Sequence, residues 1–407
     1  MSRAKERKKP KEAPPSVVPA LQKFLRTYEK HCAQSRTSVC PAIRRDLKSS
    51  ISNEQILRKF MLVRPDDSSP SLLPVSLEPL LMTIRDEGYT LGKEICMWGL
   101  RLSNPEIARL ALHLETKGRA TCPITTLEII DCKMDLWSLG RLGKALQLSS
   151  LQFLVLDYCK FGNGDVESIF SGLENNQRLQ GLSLRYCGLG PGSGPRLGSV
   201  ISQSAISELH LDGNYLQCSG ALALLRPIGA YAEVQGKDQS TSASPYTGSP
   251  PQPSQVCRRG SSTLNQIARS PEAITLKTTS RKKKRKKGIK KKVKGLMEAG
   301  PWVVKLYLAD NGIDGKGEEG KQLLEFTRLV TCLIKYSPQL REIDLGNNVL
   351  GEMAATNILE ALRARRTGKL PALKITVTPQ ISSDTFKSIW KHSKKSTALK
   401  KKKKVKN

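Results

Sequence analysis

A short pattern of leucines recurs along this chain at a fixed period, and it constrains the fold more than any other feature. One copy consists of Leu151, Leu154, Leu156, Cys159 and Phe161. The same spacing returns at Leu179, Leu182, Leu184, Cys187 and Leu189, at Ile206, Leu209, Leu211, Asn214 and Leu216, and earlier at Ile124, Leu127, Ile129, Cys132 and Met134. Copies in one register, 27 or 28 residues apart, predict a structure built by repeating one unit.

The spacing within a copy predicts a strand, a turn and a helix. Alternate residues of a strand point to opposite faces, so we expect Leu154 and Leu156 in the core, and Val155 and Asp157 on the other face. Asp157 should then be a replaceable polar residue, worth about half a kcal/mol or less. The small Cys or Asn that follows can donate a hydrogen bond inside the turn. The residues from 165 to 177 have helical periodicity, with Asp165 as the expected N-cap.

One such unit cannot bury its own apolar face, so the units are expected to stack into a solenoid. These residues resemble leucine-rich repeats, and the period with Cys or Asn at the turn is similar to the ribonuclease-inhibitor-like class of that family. The resemblance implies an α/β horseshoe, with parallel strands on a concave face, helices on the convex face, and a concave face that binds proteins. The chain departs from that class because its turn cysteines come consecutively and its turn asparagines follow, where the family often alternates the two.

Composition divides the chain into six segments. We expect a disordered basic arm at 1–15, an N-terminal helical cap and linker at 16–90, repeats at 91–232, a disordered basic insert at 233–300, further repeats at 301–382, and a cap helix with a lysine-rich tail at 383–407. Within the cap, helices are predicted at 16–33, 43–51 and 54–61.

The insert interrupts the repeats but is not expected to divide them into two domains. The pattern resumes at Leu306, Leu308 and Asn311 and again at Ile343, Leu345 and Asn348. Each half alone would leave an unpaired strand edge. The chain is therefore predicted to leave and rejoin a single solenoid.

The cysteines indicate a reducing compartment. The chain has ten of them, and none forms a C-x-x-C pair, so buried reduced thiols are expected. No apolar stretch reaches the roughly 18 residues that span a membrane. We therefore expect a soluble intracellular protein, a monomer without membrane contact.

Enzymatic chemistry is not expected. The chain has four histidines, none spaced with other metal ligands, and His210 falls between two core leucines as a surface or groove residue. The stretch from Gly315 to Gln322 has the spacing of a phosphate-binding loop, but Gln322 replaces the Ser or Thr that would meet magnesium. No catalytic residue, cofactor or metal site is predicted.

The net charge of +31 lies mostly in the tails and the insert. Its densest run is a candidate polyanion site or nuclear-import signal: Arg281, Lys282, Lys283, Lys284, Arg285, Lys286 and Lys287. Acidic protein tails or the phosphates of nucleic acid would satisfy these charges, while a solvated, self-repelling linker is the alternative interpretation.

Two functions stay open at this point. One is a non-enzymatic scaffold that binds a protein partner on its concave face, through Glu128, Ile130, Val155, Asp157, Ser183, Arg185, His210, Asp212, Tyr307 and Asp344. The other is a nuclear or nucleolar factor that binds nucleic acid non-specifically through its lysines. A repeat array broken by a basic insert also resembles leucine-rich repeat proteins of cilia and the axoneme. That resemblance implies a cytoplasmic or cytoskeletal location, the cilium included, with the nucleus as the alternative.

Overall fold

A computed structural model describes residues 17–64, 73–115, 123–161, 165–241, 303–315, 320–378 and 380–402. The chain divides into one unit, Met1–Gln239 with Ala299–Asn407, and a second, Ser240–Glu298. The first unit contains the repeats. The predicted arm at 1–15, the insert from 242 onward and the tail from 403 onward lie outside the described residues.

All strands of the described chain are parallel and form one open sheet in chain order. They are β1 (Lys59–Val63), β2 (Glu94–Trp98), β3 (Thr126–Ile130), β4 (Phe153–Val155), β5 (Gly181–Ser183), β6 (Glu208–His210), β7 (Lys305–Tyr307), β8 (Glu342–Leu345) and β9 (Lys374–Val377). The predicted strands of the repeats are confirmed. Strand β6 pairs directly with β7, so the repeats on both sides of the insert share one sheet.

Helices alternate with the strands, as the repeat pattern predicts for an α/β solenoid. They are α1 (Val18–Gln34), α2 (Pro41–Ser52), α3 (Glu78–Asp86), α4 (Asn104–Glu115), α5 (Leu136–Leu148), α6 (Glu167–Leu173), α7 (Ser193–Gln203), α8 (Gln217–Thr241), α9 (Gly320–Tyr336), α10 (Gly351–Thr367) and α11 (Ser383–Lys402). At the two ends of the sheet, α2 packs against β1 and α11 packs against β9.

The core follows the leucine pattern. The register aligns Leu127, Leu154, Leu182, Leu209, Leu306, Ile343 and Ile375 in adjacent strands, and all of these side chains are buried. They belong to a single hydrophobic cluster that extends from α1 to α11. Stacking the units therefore buries the apolar face that one unit alone would expose.

The Cys and Asn side chains at the turns donate hydrogen bonds, as the sequence predicts. The Sγ of Cys187 donates to the Leu156 carbonyl at 3.0 Å. The Nδ2 of Asn214 donates to the Leu184 carbonyl at 2.8 Å, and its Oδ1 accepts from the amide of Cys187 at 3.1 Å. Each side chain thus satisfies backbone groups of the neighbouring repeat that would otherwise be buried without partners.

Three local predictions are wrong. The predicted helix at 54–61 is instead the turn and strand that form β1, because Leu57, Phe60 and Met61 fit a helical spacing as well as a strand. The predicted helix at 165–177 is shorter, and its N-cap is Val166 with no side-chain bond, rather than Asp165. Helix α8 continues to Thr241, beyond the expected start of the insert. Helix α3 has no counterpart among the predicted helices.

Candidate functional site

The strand residues that alternate with the buried leucines form the opposite, open face of the sheet. The strand register places one of them from every strand in a middle row: Met61, Cys96, Glu128, Val155, Ser183, His210, Tyr307, Asp344 and Thr376. Six of the predicted binding residues therefore lie in this row. The other four, Ile130, Asp157, Arg185 and Asp212, come two residues later along the chain.

Four of the predicted residues contact one another and form what we call the central cluster: Arg185, His210, Asp212 and Tyr307. The Nε of Arg185 donates to Asp212 Oδ2 at 2.8 Å, and its Nη2 bonds to His210 Nδ1. The guanidinium carbon lies 5.9 Å from the centre of the Tyr307 ring. The His210 and Tyr307 rings stack with centroids 4.2 Å apart and planes 8° apart. These contacts hold large side chains in fixed positions on the open face.

The tautomer of His210 follows from its two partners. A guanidinium only donates, so Nδ1 of His210 accepts from Arg185, and Nε2–H donates to Glu208 Oε1 at 2.8 Å. Burial lowers the pKa of His210 below its ordinary value, and the nearby Arg185 charge adds to that effect while Glu208 opposes it. The imidazole is therefore neutral at pH 7, and its protonation would disrupt the bond from Arg185.

Asp157 lies on the open face, as expected, but it is more buried than a replaceable polar residue would be. The residue as a whole is 7% exposed. Its Oδ1 accepts from Ser183 Oγ at 2.5 Å and from the Arg185 amide at 3.0 Å. Asp157 follows the end of strand β4, and its carboxylate reaches along the open face to these two donors in the next repeat. Asp157 is therefore a structural residue of this surface.

A hollow lies beside the central cluster, where the sheet has a glycine in place of a side chain. A Cβ built on Gly181 would lie 2.4 Å from Cδ1 of Phe153, so the Phe153 ring leans over the glycine. The hollow has a volume of about 150 Å³. It is lined by Phe153, Leu154, Val155, Asp157, Gly181, Leu182, Ser183, Arg185, Glu208 and His210. The alternation of strand residues places Phe153 and Gly181 on this surface together with Val155 and Ser183, although neither is among the predicted binding residues.

The remaining predicted residues lie on both sides of the central cluster. Glu128 bonds to Lys59 Nζ at 3.0 Å, while Ile130 is half-buried at the end of β3. On the other side, Asp344 is half-buried, and its Oδ1 accepts from the Gly346 amide at 2.9 Å. Burial raises the pKa of Asp344, and the like charges of Asp212 and Glu342 add to that effect, while the Gly346 amide and the charge of Lys374 oppose it.

Exposed aromatic side chains extend this surface past the strand ends. Tyr158 and Tyr186 stack with centroids 4.8 Å apart, and Trp98 is exposed at the end of β2. Both tyrosines have positive φ, as do Asp131, Asp310 and Asn347 at the equivalent position of other repeats. The sequence indicates these five positive-φ positions, since each of them comes two positions after the second core leucine or isoleucine of its repeat.

Metal ligands, membrane spans and thiols are the other features that bear on function in the part of the chain that the structure describes. Among the described residues, no group of three or more His, Cys, Asp and Glu side chains could hold a metal ion. None of the described helices is both long and apolar enough to cross a bilayer. Burial raises the pKa of the Cys132 thiol to about 11 and that of Cys159 to about 12, so these thiols are weak nucleophiles. The basic run from Arg281 to Lys287 lies outside the described residues.

Comparison with protein-family models and with curated proteins yields no match to this chain.

Proposed function

We propose that this chain is a leucine-rich repeat solenoid of the ribonuclease-inhibitor-like class, and that it is a non-enzymatic scaffold with its open face as the binding surface for a protein partner. Support for the repeat class comes from the aligned leucines and from the Cys and Asn side chains that bond between neighbouring repeats. The open face offers a continuous row of side chains from nine strands.

The observation that carries the binding proposal is the central cluster. Arg, Tyr and Trp are the residues that most often dominate binding energy at protein interfaces. Here Arg185 is held by Asp212 and Tyr307 is held by His210, while the Arg185 side chain is still 37% exposed. Side chains that are fixed before binding lose less conformational entropy when a partner arrives.

The proposal extends to features beyond the described surface. We take the chain to be a monomer in the cytoplasm or cytoskeleton, the cilium included, with the nucleus as the alternative location. Its composition supports an insert that does not take part in the sheet. Nucleic-acid binding through Arg281 to Lys287 stays a prediction from the sequence.

A comparison of pull-downs tests the scaffold proposal. Tagged full-length chains would be used to capture cellular proteins in about 150 mM salt and again at roughly threefold more, since exposed charge contacts weaken with screening. Changing Arg185→Glu with Tyr307→Ala should reduce recovery of the specific partner about tenfold or more. Changing the basic residues of 281–294 and 400–406 to Ser should leave that recovery intact.

Helix α9 provides a matched control. It carries Arg328, which pairs with Glu233, and the exposed Tyr336. The variant Arg328→Glu with Tyr336→Ala makes the same chemical changes away from the open face and should retain the partner. If the chain with Ser in place of the basic residues of 281–294 and 400–406 loses its partners while the open-face variant keeps them, the scaffold proposal fails. Binding of a polyanion is then the favoured function.

A further inference from the structure

The polar groups around the Gly181 hollow already have partners. Ser183 Oγ donates to Asp157, His210 Nε2 donates to Glu208, and Glu208 Oε2 accepts from Lys305 Nζ at 2.8 Å. A ligand group that entered the hollow would therefore find few hydrogen bonds to make. An apolar side chain needs no hydrogen bonds, and it would be stabilised by burial against Phe153 and Val155.

Asp344, three strands away in the register, presents the opposite chemistry. Within the described chain, no Lys, Arg or His nitrogen is found within ion-pair distance of its carboxylate. The charge of Lys374 acts on Asp344 only from further away, since Lys374 pairs with Glu342, and Arg185 pairs with Asp212. The Gly346 amide occupies only Oδ1. A half-buried carboxylate beside two other acids gains most from a cation.

Between the Gly181 hollow and Asp344 lies a pair of stacked side chains that we call the ridge. It consists of the stacked rings of His210 on β6 and Tyr307 on β7. In the middle row the order is therefore the hollow at Ser183, the ridge, and then Asp344. A segment that crosses the strands along this row would meet all three in turn.

On the basis of the scaffold function proposed above, we propose that the open face binds an extended segment of a partner protein, which places one apolar side chain in the Gly181 hollow and, four residues further along, a lysine or arginine against Asp344. The direction of the segment is set by these two contacts.

The spacing follows from strand geometry. Ser183 on β5 and Asp344 on β8 are three strand spacings apart, about 14 Å at roughly 4.8 Å each. An extended chain advances about 3.3 to 3.6 Å per residue, so about four residues cover this distance. Residues i and i+4 of an extended chain point to the same side. A straight helix instead repeats a face at about 10.5 or 16.5 Å, neither of which fits.

Selection from a library of random displayed peptides, each long enough to cross the strands, tests this inference on the full-length chain. Enriched peptides should share an apolar residue at one position and Lys or Arg four positions later. Asp344→Asn should weaken binding of an enriched synthetic peptide about tenfold, as expected for one charge-assisted contact. Gly181→Ala should weaken it by a similar factor, because the added methyl group and the displaced Phe153 ring fill the hollow.

Charge reversal separates recognition from a merely structural effect. Selection against Asp344→Lys should favour Asp or Glu at the fourth position while it keeps the apolar preference. The control Asp310→Lys reverses an exposed acid that lies after β7 and off the middle row, and it should leave both preferences unchanged. Circular dichroism would establish that each variant is folded.

The outcomes also separate this inference from the scaffold function. Peptides without the pattern that nevertheless depend on Arg185 and Tyr307 would overturn the inference and leave the scaffold standing. Failure to enrich any peptide would overturn the inference as well. Binding of the patterned peptide by the chain only after residues 281–294 are removed would show the chain's own basic segment as the occupant and would overturn the assignment to a partner protein.

Discussion

The carboxylate of Asp157 joins two neighbouring repeats at the point where their strands end. It accepts from the hydroxyl of Ser183 and the amide of Arg185, both of the next repeat. Its removal would leave these two donors in a buried site without a partner. The cost of a buried donor left unsatisfied is roughly 1 to 3 kcal/mol.

We therefore expect Asp157→Ala to lower the free energy of unfolding by roughly 1 to 3 kcal/mol. Asp46→Ala, in helix α2 with a side chain 38% exposed, is the control and should change it by about half a kcal/mol or less. Leu156→Asp, which buries an unpaired carboxylate in the core, should cost several kcal/mol. Urea unfolding of the three variants measures these differences, and equal values for Asp157→Ala and Asp46→Ala would contradict the structural role of Asp157.

Protonation of His210 should loosen the central cluster. Its pKa is lower in the folded protein than in the unfolded chain. Its contribution to stability is thus present above the ordinary histidine pKa of about 6.5 and is lost as the pH falls through the lowered folded value. The charged groups that face it are Arg185, Glu208 and Asp212.

The prediction is that stability falls more steeply for the unmodified chain than for His210→Gln when the pH is lowered from about 7.5 to 5, the range in which histidine titrates. Glutamine does not titrate, so the difference between the two proteins isolates this residue from the carboxylates that both share. Unfolding by urea at several pH values gives the two curves. Parallel curves would show that His210 does not gain a proton on unfolding.

At the scale of the elements, glycine determines how closely two neighbouring helices pack. A Cβ built on Gly143 of α5 would lie 2.1 Å from the backbone oxygen of Ser168 in α6, and one built on Gly172 would lie 2.1 Å from the oxygen of Gly143. No side chain fits between backbones at this distance. The short helix α6 can therefore lie directly against α5.

Two substitutions in α5 should have opposite effects. Gly143→Ala should destabilise the protein, by about 1 to 3 kcal/mol, because backbone must move to admit the methyl group. Gly140→Ala should stabilise it by up to about 1 kcal/mol, since alanine favours the helix and the nearest atom to its Cβ would be Ser168 Oγ at 3.9 Å. Thermal unfolding of the two variants decides, and stabilisation by both would show that the helices have room to separate.

The elements that the sequence predicts well are those with a repeated pattern. Each strand from β3 to β8 coincides with one of the copies of the leucine spacing given above, because a stacked core requires the same side chains at the same places. The cap lacks this constraint, so its spacing predicts a helix where β1 forms and gives no indication of α3. At the site, periodicity identifies the open-face positions. It cannot show that Phe153 leans over Gly181 or that the Asp157 carboxylate bonds to the next repeat, because both depend on contacts between repeats.

At the scale of the whole molecule, one core and one sheet run through both halves of the repeat array. Strand β6 precedes residues 240–298 in the chain and β7 follows them. The two strands pair directly, with Leu209 opposite Leu306. In a solenoid each repeat is stabilised chiefly by its neighbours. We therefore expect the contact between these two strands to make the two halves unfold together.

The last prediction is that residues 243–300 can be replaced without loss of the sheet. A Gly/Ser linker of about twenty residues spans roughly 25 Å on average and about 66 Å when extended, so it can extend well beyond the roughly 37 Å length of the 25-residue helix α8. The shortened chain should unfold in one cooperative transition within a few degrees of the full chain, as followed by circular dichroism. In the same shortened chain, Leu306→Asp should break the β6–β7 contact and divide the transition into two. A second transition before that substitution is made would instead mean that residues 243–300 help to hold the two halves together.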